Sequence, residues 1–175
     1  VPFQFHHSGP GLLFDQPEPM VQLFLKDLND GIADTGVRAA FLKCAIEEQG
    51  LTPGVERVMR AVGATSAQSG APITVHTHAA SESGLVAQRV LAEEGADLSR
   101  VIIGHSGDST DLDYLCRLAD AGSYLGMDRF GLDVLLPFEE RVDTVAELCR
   151  RGYTERVVLA HDASCSIDWF PAEAR

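Results

Sequence analysis

The chain has 175 residues, 45% of them hydrophobic, which is enough for a single domain with a sizeable core. Acidic residues outnumber basic residues by 26 to 14, and the formal net charge of −12 argues against partners with an anionic surface, such as nucleic acids or membrane lipids. The apolar stretches of the sequence are too short to span a bilayer.

Predicted strands and helices alternate along the chain with a repeat of about 30 residues, which is typical of βαβ units. A loop over 1–19 and a helix over 19–36 precede the repeat. Strands are predicted over 37–46, 72–78, 100–106, 123–131 and 156–162. Helices are predicted over 54–70, 83–95, 110–122 and 138–152, and a loop over 163–171 follows the last strand.

Most of these strands are continuous apolar runs, a pattern typical of a parallel sheet that is buried on both faces. Each strand ends on a polar residue of chemical interest: Lys43, His76, His105, Asp128 and Asp162. The active sites of (β/α)8 barrels lie at the C-terminal ends of the strands, so this pattern favours a barrel. A doubly wound open sheet is the alternative, but it does not require such a residue on every strand. The GxGxxG, Walker and GxSxG motifs of nucleotide-binding proteins and serine hydrolases do not occur in the sequence.

The stretch PITVHTHAAS (72–81) raises the question of whether His76 and His78 bind one metal ion as a pair. If they lay on the first strand of a barrel, seven further strands would follow, but only three are predicted. A carboxylated lysine would also have to lie downstream, whereas Lys26 and Lys43 both lie upstream. We therefore place His76 on a strand in the middle of a barrel and His78 in the loop beyond it.

The segments FLKCA, PITVHTHAAS, RVIIGHSGD, GMDRFGLDVLLP and HDASCSIDW extend over nearly the whole chain. In these segments the chain resembles the phosphotriesterase family of the amidohydrolase superfamily, and within it the phosphotriesterase-like lactonases. The resemblance implies a (β/α)8 TIM barrel of the metal-dependent hydrolase type. It implies further that residues 1–175 are a single partial domain covering barrel strands 4 to 8, without strands 1–3, their His-x-His motif, and the C-terminal end.

Lys43 lies in an apolar strand, where burial disfavours an ammonium group, lowers its pKa and leaves a neutral amine that can take up CO₂ as a carbamate. From the residues alone, a lysine that extends its ammonium group to solvent is an equal alternative. The resemblance implies that carboxylated Lys43 bridges two divalent metal ions, with His76, His105 and Asp162 as further metal ligands. Such ligands suit zinc, iron, cobalt or manganese, and we expect zinc.

The resemblance also assigns catalytic and substrate-binding roles. Asp162 would accept a proton from the attacking water, whose pKa a divalent ion lowers. Arg129 occupies the position at which the lactonase branch carries arginine and the phosphotriesterases proper carry histidine. Asp108 matches an acidic residue behind it, so that the two orient substrate or relay charge, or else form an ordinary ion pair. Trp169 is placed like the aromatic residue that packs against substrate, and Ala163 stands where lactonases often have a larger aromatic residue.

We therefore expect a hydrolase that opens lactones, and promiscuously hydrolyses organophosphate triesters, through a hydroxide bound by two metal ions. Its partners would be small lactone or ester substrates and, at full length, a second copy in a homodimer, with no nucleic acid and no membrane. The alternatives are a dedicated phosphotriesterase and a non-catalytic metal-binding fragment. Because the strand-1 histidines are absent, we expect this segment alone to be weakly active or inactive.

The cysteines indicate where the protein resides. They are scattered and form no CxxC pair: Cys44, Cys116, Cys149 and Cys165. Such spacing favours reduced thiols in a cytoplasmic protein over a disulfide framework or a structural zinc site. No signal-peptide pattern follows Val1, so we expect a cytoplasmic location.

Overall fold

The computed structural model describes residues 18–163, in which five parallel strands form one sheet. The strands are β1 Leu42–Ile46, β2 Ile73–Thr77, β3 Val101–Gly104, β4 Tyr124–Met127 and β5 Val157–Leu159. The helices are α1 Pro19–Asn29, α2 Pro53–Ser69, α3 Ser83–Glu93, α4 Leu112–Asp120 and α5 Phe138–Arg150. Each strand pairs with the next strand along the chain, in the order β1-β2-β3-β4-β5. This order is that of a singly wound (β/α) barrel, whereas a doubly wound sheet reverses its strand order at a switch point.

The strands are shorter than the sequence predicted. The predicted strand over 37–46 begins only at Leu42, and Val37 and Phe41 before it are exposed rather than part of the buried sheet. The predicted helix over 19–36 ends at Asn29, because Gly31 two residues later adopts a φ of +122° that a helix cannot continue. The same shortening at the C-terminal strand ends leaves several of the polar residues just beyond their strands.

The two faces of the sheet differ in what covers them. On β1 and β2 every second residue is buried: Leu42, Cys44, Ile46, Ile73, Val75 and Thr77. The apolar members of this set join side chains from α2, α3 and α4 in one hydrophobic core. Lys43 and His76 alternate with them, are half-buried, and lie on the opposite face, which is the inner face of a barrel. Along β1 and β2 the expectation of burial on both faces is thus met only on the helix side, because the alternate residues on the inner face are half-buried.

The helices begin and end at residues suited to capping. The Thr52 hydroxyl accepts a hydrogen bond from a main-chain amide at the start of α2, and the Asp111 carboxylate accepts two at the start of α4. Pro53 occupies the first position of α2, and Gly70 closes that helix with a φ of +71°. In residues 18–163 we find no helix with the length and apolar character needed to cross a bilayer.

Leu118 on α4 is fully buried in the core between the helices and the sheet. We expect Leu118→Ala to lower the free energy of unfolding by about 2–5 kcal/mol, because the truncation leaves a cavity. Leu135→Ala, at an exposed residue, serves as the control and should change it by about 0.5 kcal/mol or less. Urea denaturation of the intact protein measures both, and equal effects of the two substitutions would contradict this description of the core.

Candidate functional site

A group of polar and charged side chains lies at the carboxyl ends of the strands, where neighbouring parallel strands bring successive chain segments to one edge of the sheet. His76 is the last inward-facing residue of β2, and His105 directly follows β3. Asp128 and Arg129 directly follow β4, and Asp162 lies three residues beyond β5. The topology therefore brings together residues that are far apart in the sequence.

The imidazole rings of His76 and His105 contact each other at this edge. The His105 Nε2 atom lies 2.9 Å from the His76 Nδ1 atom, and the ring planes are at 79°. Each remaining ring nitrogen faces a carboxylate: His76 Nε2 is 2.6 Å from Glu47 Oε1, and His105 Nδ1 is 3.0 Å from Asp128 Oδ1. Burial and the neighbouring His105 lower the pKa of the His76 imidazole, which favours its neutral form.

These contacts define what the pair can bind. An ionised carboxylate only accepts hydrogen bonds, so in a ring with a single proton the carboxylate favours the tautomer that carries it on the nitrogen facing Glu47 or Asp128. The two facing nitrogens, His76 Nδ1 and His105 Nε2, then both present lone pairs to each other. Such a pair repels unless a cation lies between the rings, and imidazole nitrogens are suitable ligands for divalent transition metals. The donor set therefore fits a divalent cation.

Asp128 holds His105 by its main chain as well as by its ring. The His105 backbone N–H donates to Asp128 Oδ1 at 2.9 Å and lies 3.1 Å from Oδ2. His105 has a φ of +63°, and Asp162 a φ of +52°, in the left-handed region that non-glycine residues rarely adopt. Such conformations persist where the surrounding contacts hold them, and they are frequent at functional sites.

Two glycines make room for the Asp128 carboxylate. A Cβ atom on Gly126 would lie 2.6 Å from Asp128 Oδ2 and 2.9 Å from the Gly104 Cα atom. A Cβ atom on Gly104 would lie 2.7 Å from the Val75 carbonyl oxygen. All three distances are shorter than non-bonded atoms tolerate, so a side chain on Gly126 would displace the carboxylate and one on Gly104 would push its strand away from β2.

Lys43 lies on β1, on the same face as His76 and one strand away from it. Burial lowers the pKa of the Lys43 ammonium group, while the negative charges of Asp128 and Asp162 act to raise it and the charge of Arg129 acts to lower it. The lysine therefore lies within electrostatic reach of the strand-end carboxylates. A lowered pKa favours the neutral amine from which a carbamate forms.

Arg129 forms ion pairs with two aspartates. Its Nη1 atom lies 2.7 Å from Asp108 Oδ2, and its Nε atom 3.0 Å from Asp162 Oδ2. Burial on its own would lower the pKa of the guanidinium, but the hydrogen bonds to Asp108 and Asp162 raise it, so Arg129 stays charged. The pair expected between Asp108 and Arg129 is present, and its role in the reaction stays a prediction.

Two residues that contribute to this site were not predicted from the sequence. Arg141 on α5 is only 1% exposed; it donates to the carbonyl oxygens of Gly107, Leu132 and Leu136, and its Nη1 atom lies 2.8 Å from Asp108 Oδ1. It lies in the acidic stretch FEERVDTV, which has the composition of a solvent-facing helix. Glu47 was missed because it follows its strand; its only signal is its spacing, two residues beyond the last inward-facing position of β1.

The residues expected to bind metal are only partly brought into contact. His76 and His105 form a close pair, whereas Asp162 Oδ2 lies 4.0 Å from His105 Nδ1 and is hydrogen-bonded to Arg129. Between residues 18 and 163, no three or more histidine, cysteine, aspartate or glutamate side chains are grouped as a metal site. Trp169 lies outside the described residues.

Comparison with known proteins agrees with this fold. A sequence model of the Phosphotriesterase family matches residues 1–171. "Phosphotriesterase homology protein" of Mycobacterium tuberculosis is 58% identical over 173 residues, covering 99% of this chain and 53% of that protein. "Aryldialkylphosphatase" of Saccharolobus solfataricus is 40% identical over 156 residues, covering 89% and 50%.

A solved structure shows the same architecture. The "Structure of the phosphotriesterase from Mycobacterium tuberculosis" superimposes with a TM-score of 0.89 at 58% identity, covering 99% of this chain and 53% of that one. The chain therefore spans about half the length of the relatives it matches. The expected fold, part of a (β/α)8 barrel, is confirmed.

Arg141 links the loop after β3 to the loop before α5, so its removal should destabilise the protein. We expect Arg141→Met to lower the free energy of unfolding by about 3 kcal/mol or more, because a buried ion pair and three carbonyl contacts are lost. Arg150→Met on the same helix, at a side chain 69% exposed, should cost less than about 1 kcal/mol. Urea denaturation compares the two, and similar losses would show that Arg141 is not a structural anchor.

Proposed function

The chain belongs to the phosphotriesterase family, and from that premise we propose that the whole protein is a metal-dependent hydrolase that opens lactones, with slower hydrolysis of organophosphate triesters. The observation that carries the proposal is the 2.9 Å contact between His76 Nδ1 and His105 Nε2, the two ring nitrogens that face away from Glu47 and Asp128. We expect small lactones or esters as substrates. The homodimer and the cytoplasmic location stay predictions.

We propose that two divalent ions, with zinc as the expected metal, are held by carboxylated Lys43, His76, His105 and Asp162. A divalent ion at this position would acidify a bound water to a pKa of about 7 and withdraw electrons from a carbonyl oxygen. The half-buried position of Lys43 and the lowered pKa of its ammonium group support the carbamate. The lone pairs of the two imidazoles support at least one of the ions.

The residues of the chain itself supply proton transfer and orientation. Asp162 is the proton acceptor for the attacking water in this proposal, and its exposed carboxylate is accessible to it. Arg129 cannot accept a proton, because its pKa is raised further by the two aspartates that it binds. We therefore assign Arg129 to orienting Asp162 and the substrate carbonyl oxygen, and Asp108 to holding Arg129 from the other side.

A dedicated phosphotriesterase is the second candidate, because one relative at 40% identity carries the name aryldialkylphosphatase. Arg129 separates the two candidates: the resemblance places arginine here in the lactonase branch and histidine in the phosphotriesterases proper. A non-catalytic metal-binding protein is the third outcome, and assays of the intact protein distinguish it from both.

Removal of the metal tests the reaction class. We expect the intact protein to contain about two divalent ions per chain, to lose lactone hydrolysis on treatment with a chelator, and to regain it when zinc, cobalt or manganese is added. Elemental analysis and a lactone assay measure the two effects. Turnover that persists in metal-free protein would contradict the proposed chemistry, and bound metal without any turnover would favour the non-catalytic alternative.

Comparison of substrates tests whether the protein is a lactonase or a dedicated phosphotriesterase. We expect a higher kcat/KM for aliphatic lactones than for paraoxon-like triesters, and Arg129→Ala should lower lactone turnover roughly 100-fold because it removes an orienting charge. Arg117→Ala is the control, since Arg117 is exposed and pairs with Glu82 and the Asp113 carbonyl oxygen rather than with the strand-end aspartates. A higher kcat/KM for the triester would instead favour the dedicated phosphotriesterase.

A further inference from the structure

Glu47 lies where the end of β1 meets the metal-binding face. Its carbonyl oxygen accepts a hydrogen bond from the Gly50 amide, in a turn that Gly50 closes with a φ of +71°. Residues 43, 45 and 47 follow the alternation of a strand, so Glu47 continues the inner face that carries Lys43. Ala45 is in register with His76 on the neighbouring strand, which brings the Glu47 side chain within reach of that ring.

The contact between the Glu47 carboxylate and the His76 ring is short. Glu47 Oε1 lies 2.6 Å from His76 Nε2, although the Glu47 side chain is 47% exposed and could extend into solvent. The carboxylate can only accept, so this contact requires the ring proton to be on Nε2. The other ring nitrogen, Nδ1, is then left with its lone pair, 2.9 Å from His105 Nε2.

We propose that Glu47 is a positioning residue that holds the His76 ring in the tautomer with its proton on Nε2, so that Nδ1 is available to a divalent cation. The inference rests on the proposed metal-dependent function. It adds to that function a residue that contacts neither the cation nor the substrate.

The competition between two acceptors explains why the ring needs such a residue. In the metal-free protein His76 can donate its single proton either to Glu47 from Nε2 or to His105 Nε2 from Nδ1. A carboxylate is the stronger acceptor, since hydrogen bonds to charged groups are the stronger ones. Without Glu47 the proton is drawn to Nδ1, and a cation must then displace it before it can bind.

The same arrangement recurs on the second ring with the nitrogens exchanged. Asp128 holds His105 by Nδ1 and leaves Nε2 available, whereas Glu47 holds His76 by Nε2 and leaves Nδ1 available. Carboxylates that bind the distal nitrogen of a metal-ligating histidine fix its tautomer and orientation, and their loss typically weakens metal binding 10–100-fold.

The experiment uses the intact protein labelled with ¹⁵N in its histidines, together with the variants Glu47→Ala, Glu47→Gln and Glu48→Ala. Glu48 is the matched control, because it is adjacent, acidic and exposed, and its side chain forms no ion pair or hydrogen bond among the described residues. In metal-free protein, long-range ¹H–¹⁵N spectra report the tautomer of His76, whose signals are assigned by their loss in His76→Asn. Zinc affinity is measured by competition with a chromogenic chelator.

We expect the wild type and Glu48→Ala to carry the His76 proton on Nε2, and Glu47→Ala to carry it on Nδ1 and to bind zinc 10–100-fold more weakly. Glu47→Gln retains an acceptor oxygen, so it should keep the His76 proton on Nε2 and bind zinc with intermediate affinity. If Glu47→Ala does not fold, the zinc affinity of Glu47→Gln tests the role of the Glu47 charge. An unchanged tautomer in Glu47→Ala, or zinc affinity within twofold of the wild type, overturns the proposal. Wild-type protein that binds no zinc overturns the proposed function, whereas the tautomers still decide the role of Glu47.

Discussion

The position of the site depends on the hydrogen bonds between the Asp128 carboxylate and His105. The carboxylate accepts hydrogen bonds from the backbone amide and the ring of the same histidine, and so fixes both the left-handed turn after β3 and the direction of the imidazole. These hydrogen bonds can form because Gly104 and Gly126 have no side chains, so β3 and β4 lie close together beside the carboxylate. The contact of His105 with His76 follows from them.

The electrostatics of the site differ from those of the whole chain. The chain carries a formal net charge of −12, yet Asp108 and Asp162 are partly neutralised by two largely buried arginines. Arg129 lies between Asp108 and Asp162, and Arg141 contacts the other oxygen of Asp108. Ion pairs of this kind hold the carboxylates in fixed orientations at the edge of the sheet.

The family could be predicted from the five matching segments, and the parallel sheet from the repeat of strands and helices. The meeting of His76 and His105 at one edge could be predicted too, because the carboxyl ends of parallel strands lie there. The strands were predicted too long, since apolar residues such as Val37 and Phe41 resemble strand residues even where they lie outside the sheet. Arg141 was not predicted, because a buried arginine in an amphipathic helix looks like a surface residue until its carbonyl partners are known. The metal and substrate roles stay predictions.

The sequential order of the strands has a consequence for the assembly of the site during folding. Glu47, His76 and His105 lie on consecutive βα units, and the two histidines are separated by only 29 residues. The entropy lost on closing a loop rises with its length, so contacts between consecutive units form at less cost than contacts across a whole barrel. The imidazole pair can therefore form once the consecutive units from β2 to β4 have docked and Asp128 binds His105, while the chain that follows is still unfolded. A cation that binds this pair early would then stabilise a folding intermediate as well as the finished protein.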